Sequence, residues 1–205
     1  MPASLDEIRH KLTAMRPRSL QAEAARQAAV AMVLREREGR PEVLFIERAE
    51  RHGDPWSGHM AFPGGRVEPD DLSPRQTAER ETAEEVGVPL ADAELLGRLD
   101  DQEGRQAGRP AGLVISGFVY HLEKPALLRP NHEVREAFWF PLPELCDPAR
   151  RVDYTWALAP GAPRYPGILV GEPRRHVVWG LTYRFLEVFF ETLGEPLPNR
   201  WPPRE

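Results

Sequence analysis

Three glutamates with helical spacing are the residues of this sequence best suited to carry chemistry. Glu81, Glu84 and Glu85 occur within the segment RETAEEVGV, and side chains three or four residues apart lie on one side of a helix. Like charges at this spacing repel, so the cluster needs a positive partner. Arg80 neutralises part of the charge, but carboxylates combined with loop oxygens are the ligands that Mg²⁺ or Mn²⁺ prefers. The alternative is a solvated acidic helix face; the position directly after a Gly-Gly loop favours a metal site.

The helix that carries these glutamates has its own start and stop signals. Ser73 suits the N-cap, Pro74 suits the first helical position, and Gln76 follows the cap by three residues. Gly87 suits the left-handed residue that ends many helices. These signals predict a short helix from about Pro74 to Val86, preceded by an acidic loop.

The segment from Gly65 to Val88 resembles the Nudix box, Gly-x5-Glu-x7-Arg-Glu-U-x-Glu-Glu-x-Gly-U, in which U is bulky and apolar. The sequence departs from that pattern in two ways. Thr82 takes a position that is usually aliphatic, and the loop between Gly65 and Arg80 is one residue longer. The first glutamate of the box therefore has no direct equivalent, and three acidic loop residues are candidates to replace it: Glu68, Asp70 and Asp71.

The longer loop and the segment before it are similar to the coenzyme A pyrophosphatase branch of the Nudix hydrolases. That branch carries His-x-Gly-Gln-Val-Ala-Phe-Pro-Gly-Gly, and residues 56–65 keep the frame with Trp56 for the His and His59 for the Gln. Trp56 either stacks on a base or plugs the loop. The run VWGLT at 178–182 resembles the Trp-Gly-x-Thr segment of the same branch, and it makes Trp179 a core residue or a contact to adenine or pantetheine.

The resemblance implies a hydrolase that uses Mg²⁺, with Mn²⁺ as a substitute, to direct water at a phosphorus of a diphosphate linkage. It makes Glu81 and Glu85 the principal metal ligands, Glu84 an auxiliary ligand and the carbonyl of Gly64 a backbone ligand. Arg80 then serves catalysis by orienting the glutamates through ion pairs.

A fourth carboxylate is implied by the same resemblance. Nudix enzymes commonly place a glutamate several residues before an aromatic-rich strand, and in NHEVREAFWF that position is Glu133, with Glu136 as the fallback. The alternative is that Glu133 is a loop residue before the strand without a role at the metal site. Either Glu84 or Glu133 is a candidate for the general base, which geometry must decide.

Cationic and aromatic side chains around the box are candidate substrate contacts, with solvated loops as the alternative for the loop arginines. The candidates are Arg48, Arg51, Trp56, Arg66 and Arg105.

The rest of the chain reads as one domain, 1–205, with added helices at about 4–16 and 179–193. Apolar and β-branched runs predict strands at 27–34, 42–46, 93–99 and 112–122, while 100–110 reads as a polar loop. With the resemblance, the expected fold is an α/β/α sandwich on a mixed β-sheet.

Bulk properties restrict the partners. The net charge of −5 argues against a nucleic-acid-coating protein, and no apolar run is long enough to span a membrane. The single cysteine, Cys146, fits a reducing cytoplasm, and packing is a better interpretation of it than a nucleophile. We expect a small nucleotide-containing diphosphate as partner; a homodimer stays open.

Several functions remain in competition. The preferred substrate is coenzyme A or acyl-CoA, and ADP-ribose or a nucleoside diphosphate sugar is the runner-up. A nucleotide sensor without activity would have lost box carboxylates, whereas all three are present. An isoprenoid diphosphate isomerase would need a catalytic cysteine in its pocket.

Overall fold

The computed structural model describes residues 4–20, 26–54, 56–106, 109–124, 126–155 and 164–197, with the side chains of 105–106 and 109–111 outside the description. A mixed sheet of eight strands forms its centre. The strands are β1 (Arg26–Arg37), β2 (Arg40–Arg48), β3 (Met60–Ala61), β4 (Gly64–Arg66), β5 (Glu94–Arg98), β6 (Gln102–Gln106), β7 (Arg109–His121) and β8 (Val134–Pro141).

The pairing of β1 and β7 is parallel and the other described pairings in this sheet are antiparallel. The four strands predicted from apolar runs are confirmed. The expectation of a loop over 100–110 was wrong, because Gln102–Gln106 forms β6 and pairs with β7. Its polar side chains gave no strand signal, although β6 and β7 are consecutive strands that pair from Gln106 with Arg109 to Gln102 with Ile115.

Alternate residues of the sheet face two separate cores. In β1, Ala29, Ala31 and Val33 belong to one apolar cluster, whereas Met32 and Leu34 belong to the other. This period of two is what a strand buried on both faces requires. Helix α2 (Pro74–Val86) packs on the first face, and α1 (Leu5–Ala14) and α3 (Gly180–Leu193) pack on the second. The expected α/β/α layering on a mixed sheet is confirmed.

The two outer helices are fixed by their apolar faces. In α1, Leu5, Ile8 and Leu12 are buried, and the helix begins at the Ser4 N-cap. In α3 the buried face includes Phe185, Leu186, Phe189 and Phe190. Gly194 ends α3 in the left-handed conformation. No helix in the described ranges is long and apolar enough to cross a bilayer.

A second sheet, which the sequence did not predict, follows two short 3₁₀ helices (Leu142–Cys146 and Pro148–Arg150). Its antiparallel strands are β9 (Arg151–Thr155), β10 (Arg164–Leu169) and β11 (Val177–Trp179). Strand β11 leads directly into α3 and lies beside β3, and the Thr182 hydroxyl donates to the Met60 carbonyl at 3.3 Å. The small sheet is therefore attached to the segment that precedes the Gly-Gly loop.

An ionic clasp, formed by Glu47, Glu136 and Arg175, joins this C-terminal part to the main sheet. Glu47 and Glu136 are directly opposite each other on β2 and β8, where like charges destabilise the pair. Arg175 bridges them, with its Nη2 at 2.6 Å from Glu47 and 2.7 Å from Glu136. Because Glu47 is only 1% exposed, its carboxylate depends on this partner.

We predict that Arg175→Ala lowers the midpoint of thermal unfolding by several degrees, since it leaves the buried Glu47 carboxylate without its main counter-ion. Adding Glu47→Gln to that variant should recover much of the loss, because a neutral amide is easier to bury. The matched control is Arg164→Ala, which removes an exposed ion pair with Asp153 and should change little. Equal midpoints for Arg175→Ala and Arg164→Ala would contradict the role of the clasp.

Candidate active site

Helix α2 is held at both ends by local interactions. The Ser73 hydroxyl accepts the Gln76 N–H at 3.3 Å, Pro74 occupies the first turn, and Gly87 closes the helix in the left-handed conformation. The bounds predicted from the sequence, Pro74 to Val86, are confirmed. Thr82, at the usually aliphatic position, is fully buried, and its hydroxyl donates to the Ala78 carbonyl at 2.7 Å. Its polar atom is thus satisfied inside the helix.

Two of the glutamates lie against the backbone of the Gly-Gly turn. Glu85 is 2% exposed and accepts the Gly64 N–H at 2.9 Å. A Cβ added to Gly65 would collide with the Glu81 carboxylate, and one added to Gly64 would collide with the Ala29 carbonyl of β1. Only glycines allow the turn to lie between the sheet and the helix this closely. The turn therefore sets the positions of Glu81 and Glu85.

The cluster holds more negative charge than its surroundings compensate. The pKa of Glu85 is raised to about 7, chiefly by burial and also by the charges of Glu81 and Glu133, against the opposing effect of the Gly64 N–H and Arg48. Burial also raises the pKa of Glu81 above its ordinary value, although Arg80 opposes this. Carboxylates that are held together at such an electrostatic cost are a donor set that suits a hard divalent cation.

Asp71 is the acidic loop residue that joins the box loop to the helix. It forms two hydrogen bonds with Arg80, at 3.0 and 3.1 Å, and accepts further ones from the Thr77 hydroxyl and the Glu68 N–H. The Arg80 hydrogen bond is the main reason why the pKa of Asp71 lies far below its usual range. Asp70 is exposed, and Glu68 is exposed and contributes its N–H. Of the three candidates, Asp71 is the one that pairs with the arginine of the box.

Arg80 connects this loop to the glutamates. Its Nη1 lies 3.0 Å from Glu81 and 3.3 Å from Glu84, and its Nη2 donates to the Arg66 carbonyl at 3.3 Å. The geometry suits the orienting role that the sequence predicted. Glu84 is the most accessible of the three glutamates, with 55% of its side chain exposed.

The loop before β8 brings Glu133 to the same site. Asn131 N–H donates to the Glu85 carbonyl at 2.9 Å, and Ala49 N–H donates to the Glu133 carbonyl at 2.8 Å. The Glu133 carboxylate is paired with Arg51 at 2.9 Å, and its charge acts on both Glu81 and Glu85. The structure thus brings Glu133 and Arg51 to the edge of the cluster.

The fallback residue, Glu136, lies elsewhere. It is opposite Glu47 on the sheet face that carries α1 and α3, and Arg175 holds it there. A register shift between Glu47 and Arg48 leaves Arg135 as an extra residue in β8. The side chains before Arg135 therefore point to the opposite face from the one that regular strand alternation would give them. Glu136 is therefore the wrong choice for a ligand beside Glu81 and Glu85.

The remaining predicted contacts divide into three groups. Arg48 lies at the site, where its charge lowers the pKa of Glu85, and its side chain pairs with Asp54 at 3.0 Å. Arg66 is exposed on β4. The side chain of Arg105 lies outside the described part of the structure, although its backbone belongs to β6.

A second group of potential ligands lies at the ionic clasp. Oxygens of Glu47 and Glu136 and a nitrogen of His176 lie close enough together to hold a metal ion. Arg175 already supplies the cation there, and His176 Nδ1 accepts the Glu172 N–H at 3.1 Å. The ring proton then belongs on Nε2, which lies 3.4 Å from Glu136 and 3.6 Å from Glu47, and Arg175 takes the place that a metal ion would fill between the two carboxylates.

An aromatic cluster, which we define as Trp56, His59, Tyr154, Tyr165 and Trp179, lies beside the segment leading to the Gly-Gly turn. Trp179 is buried, as its core interpretation predicted, and the other four rings lie around it. Sequence reasoning missed Tyr154 and Tyr165, because the small sheet that carries them was not predicted. Their only signal was a short alternation of apolar and polar residues in RVDYT.

We predict that Glu85→Gln stabilises the metal-free protein at high pH. The folded-state pKa of Glu85, about 7, exceeds its ordinary value of 4.5, so ionisation between these pH values costs the folded state up to about 3 kcal/mol. The cost is absent below pH 4.5 and complete above pH 7. In urea melts with EDTA, the free energy of unfolding of the variant should therefore equal that of wild type at pH 4 and exceed it at pH 8. Glu84→Gln, at an exposed position, is the control, and a variant advantage independent of pH would contradict the assignment.

Comparison with known proteins gives the family. The NUDIX domain model matches residues 25–159. An uncharacterised protein of Schizosaccharomyces pombe is 41% identical over 133 residues, which are 61% of this chain and 40% of that protein, so this chain spans less than half of that relative's length. The human mitochondrial coenzyme A diphosphatase NUDT8 is 34% identical over 180 residues, which are 86% of this chain and 72% of that protein.

A solved structure agrees with this assignment at the level of the fold. The MutT/nudix family protein from Enterococcus faecalis superimposes with a TM-score of 0.55, covers 95% of this chain and 76% of that chain, and is 17% identical in sequence. Since the family model covers more than half of the chain, the chain belongs to the NUDIX domain family.

Proposed function

We propose that the protein is a pyrophosphatase-type hydrolase that uses Mg²⁺ to cleave the diphosphate linkage of coenzyme A or an acyl-CoA, giving 4′-phosphopantetheine and 3′,5′-ADP. The observation that carries the chemistry is the buried Glu85 carboxylate, held with Glu81 against the Gly64–Gly65 backbone. The choice of substrate is supported by the similarity to NUDT8, named as a coenzyme A diphosphatase, and by the frame of the segment before the box.

The residues at the site fit a divalent cation. Glu81 and Glu85 would hold it, with Glu84 as an accessible auxiliary ligand and the Gly64 carbonyl as a backbone ligand. Their oxygens are hard donors, and burial raises the pKa of Glu85, so a bound cation would offset the cost of ionising it. When bound, such an ion neutralises the diphosphate and acidifies a water. Mn²⁺ has similar ligand preferences and is an expected substitute.

The protein's own side chains would position the substrate and move the proton. Arg48 and Arg51 supply positive charge at the edge of the cluster, where a diphosphate needs it. The general base is either Glu84, which is exposed, or Glu133, which must first leave its ion pair with Arg51. Arg80 stays bound to Asp71 and keeps Glu81 oriented, which makes it a positioning residue.

The competing functions can be weighed against the same geometry. ADP-ribose or a nucleoside diphosphate sugar would need the same chemistry and a different pocket, and it remains the second candidate. A sensor without activity is disfavoured because the box carboxylates are present and arranged together. An isomerase is disfavoured because Cys146 packs against the core on the α1 and α3 side of the sheet, away from α2. Burial also raises the pKa of its thiol, which makes a poor nucleophile.

A substrate panel tests the proposed function directly. Coenzyme A, acetyl-CoA, ADP-ribose and a nucleoside diphosphate sugar would be incubated with Mg²⁺ or with EDTA, and the products would be identified by mass spectrometry. We expect 4′-phosphopantetheine and 3′,5′-ADP from coenzyme A with Mg²⁺, and no product with EDTA. Preferential cleavage of ADP-ribose would replace coenzyme A by the second candidate, and turnover in EDTA would refute the metal requirement.

Two substitutions test the assigned carboxylates. Glu85→Gln should lower kcat by roughly 10³-fold, because it removes a principal ligand, while circular dichroism stays unchanged. Glu133→Gln should lower it by about 10- to 100-fold, as a supporting group would. Cys146→Ser is the control and should retain wild-type turnover, whereas an isomerase would lose it. If Glu133→Gln behaves like wild type, the fourth carboxylate comes from another residue.

A further inference from the structure

The aromatic cluster is organised around the indole of Trp179. Tyr154 stacks on it, with centroids 4.4 Å apart and planes inclined by 24°, and His59 meets it edge-on at 4.9 Å. Tyr165 lies at 5.4 Å and Trp56 at 6.5 Å from the same ring. These distances lie within the range in which aromatic pairs attract one another. Rings from the loop before the box and from the small sheet therefore support each other.

The cluster is buried at its centre and accessible at one member. Trp179 is 7% exposed, whereas Trp56 is 43% exposed and is one of three large apolar side chains with an exposed surface among the described residues. The neighbouring His59 carries no charge at neutral pH, because burial and the charge of Arg48 lower its pKa to about 4. Trp56 thus presents an aromatic surface backed by uncharged rings.

Hydrogen bonds connect Trp56 to the site of diphosphate cleavage. One oxygen of Asp54 accepts the Trp56 N–H at 3.0 Å, and the other oxygen accepts a hydrogen bond from the Arg48 guanidinium at 3.0 Å. The backbone of Arg48 also pairs with His59 and Gly58 at 3.1 and 3.0 Å. The next residue, Ala49, donates its N–H to the Glu133 carbonyl at 2.8 Å, so the aromatic surface is fixed relative to the carboxylate cluster.

We propose that Trp56, supported by the other rings of the aromatic cluster, binds the purine base of the substrate by stacking, while Arg48 beside it binds the adjoining phosphate. This inference deepens the proposed function and rests on it for the presence of a nucleotide. The pantetheine arm of coenzyme A is a poorer occupant, because a flexible chain loses more rotational freedom on a flat surface and has no π-face to stack.

Binding of ligands that lack the scissile linkage tests the inference without turnover. Calorimetry with Mg²⁺ would compare ADP, inorganic pyrophosphate and 4′-phosphopantetheine on wild type, Trp56→Ala and Trp56→Phe. We expect Trp56→Ala to weaken the binding of ADP by about 10- to 100-fold, which is the effect of losing one base–aromatic stack. The affinity for pyrophosphate should stay unchanged. Trp56→Phe should retain most of the ADP affinity, because it keeps an aromatic face.

The matched control is Leu72→Ala, which removes another exposed apolar side chain, on the box loop, and should leave all three affinities unchanged. If Trp56→Ala weakened the binding of ADP and of pyrophosphate equally, the inference would be overturned, since the substitution would then have a general effect on the loop. A selective loss of affinity for 4′-phosphopantetheine would overturn it as well, because it would place the pantetheine arm of coenzyme A on Trp56. These outcomes do not depend on hydrolysis, so a failure of the proposed function would appear separately, as wild type that binds ADP without cleaving coenzyme A.

Discussion

The contact between two buried glutamates and a glycine backbone is the constraint on which the rest of the site depends. Glu85 and Glu81 reach the Gly64–Gly65 turn only because neither glycine carries a side chain, and β4 is held against β1 at the same point. The contact brings negative charge into a region that water barely reaches, and the pKa of Glu85 rises as a result. A fold that accepts this cost in its metal-free form is prepared for a cation.

The surrounding structure prevents the helix from moving away from that contact. At the start of α2, Asp71 binds Arg80 and Thr77, and at its end the Arg129 and Asn131 N–H groups donate to the carbonyls of Val86 and Glu85. Because Glu133 on the neighbouring loop repels the glutamates of α2, these bonds do more than cap the helix. They hold the carboxylates at distances that their own charges oppose, which is the preorganisation that a metal site needs.

Local sequence signals made α2 predictable, whereas the arrangement of the rest of the site depends on tertiary contacts. The caps at Ser73 and Gly87 act over a few residues, so the sequence was sufficient to place the helix. The choice of Asp71 over its neighbours depends on where Arg80 points, and the position of the small sheet depends on contacts such as that between Thr182 and Met60. Those contacts are set by the tertiary fold, which spacing along the chain does not encode.

Strand periodicity explains why the fallback residue Glu136 lies away from the site, and it gives a criterion for the metal. One residue along a strand changes the face, and the extra residue Arg135 changes the register as well, so Glu133, the first choice from the sequence, and Glu136 lie in different surroundings.

The two faces of β2 and β8 then differ in how their carboxylates are neutralised. On one face Arg175 binds Glu47 and Glu136 and Arg135 lies 3.4 Å from Glu47, so each carboxylate has a cationic partner from the protein. On the other face, Arg80 serves Asp71 as well as Glu81, and burial still raises the pKa of Glu85. A divalent cation gains most where the protein leaves negative charge uncompensated. That asymmetry favours the α2 side for the metal, even though the clasp offers three potential ligands in closer proximity.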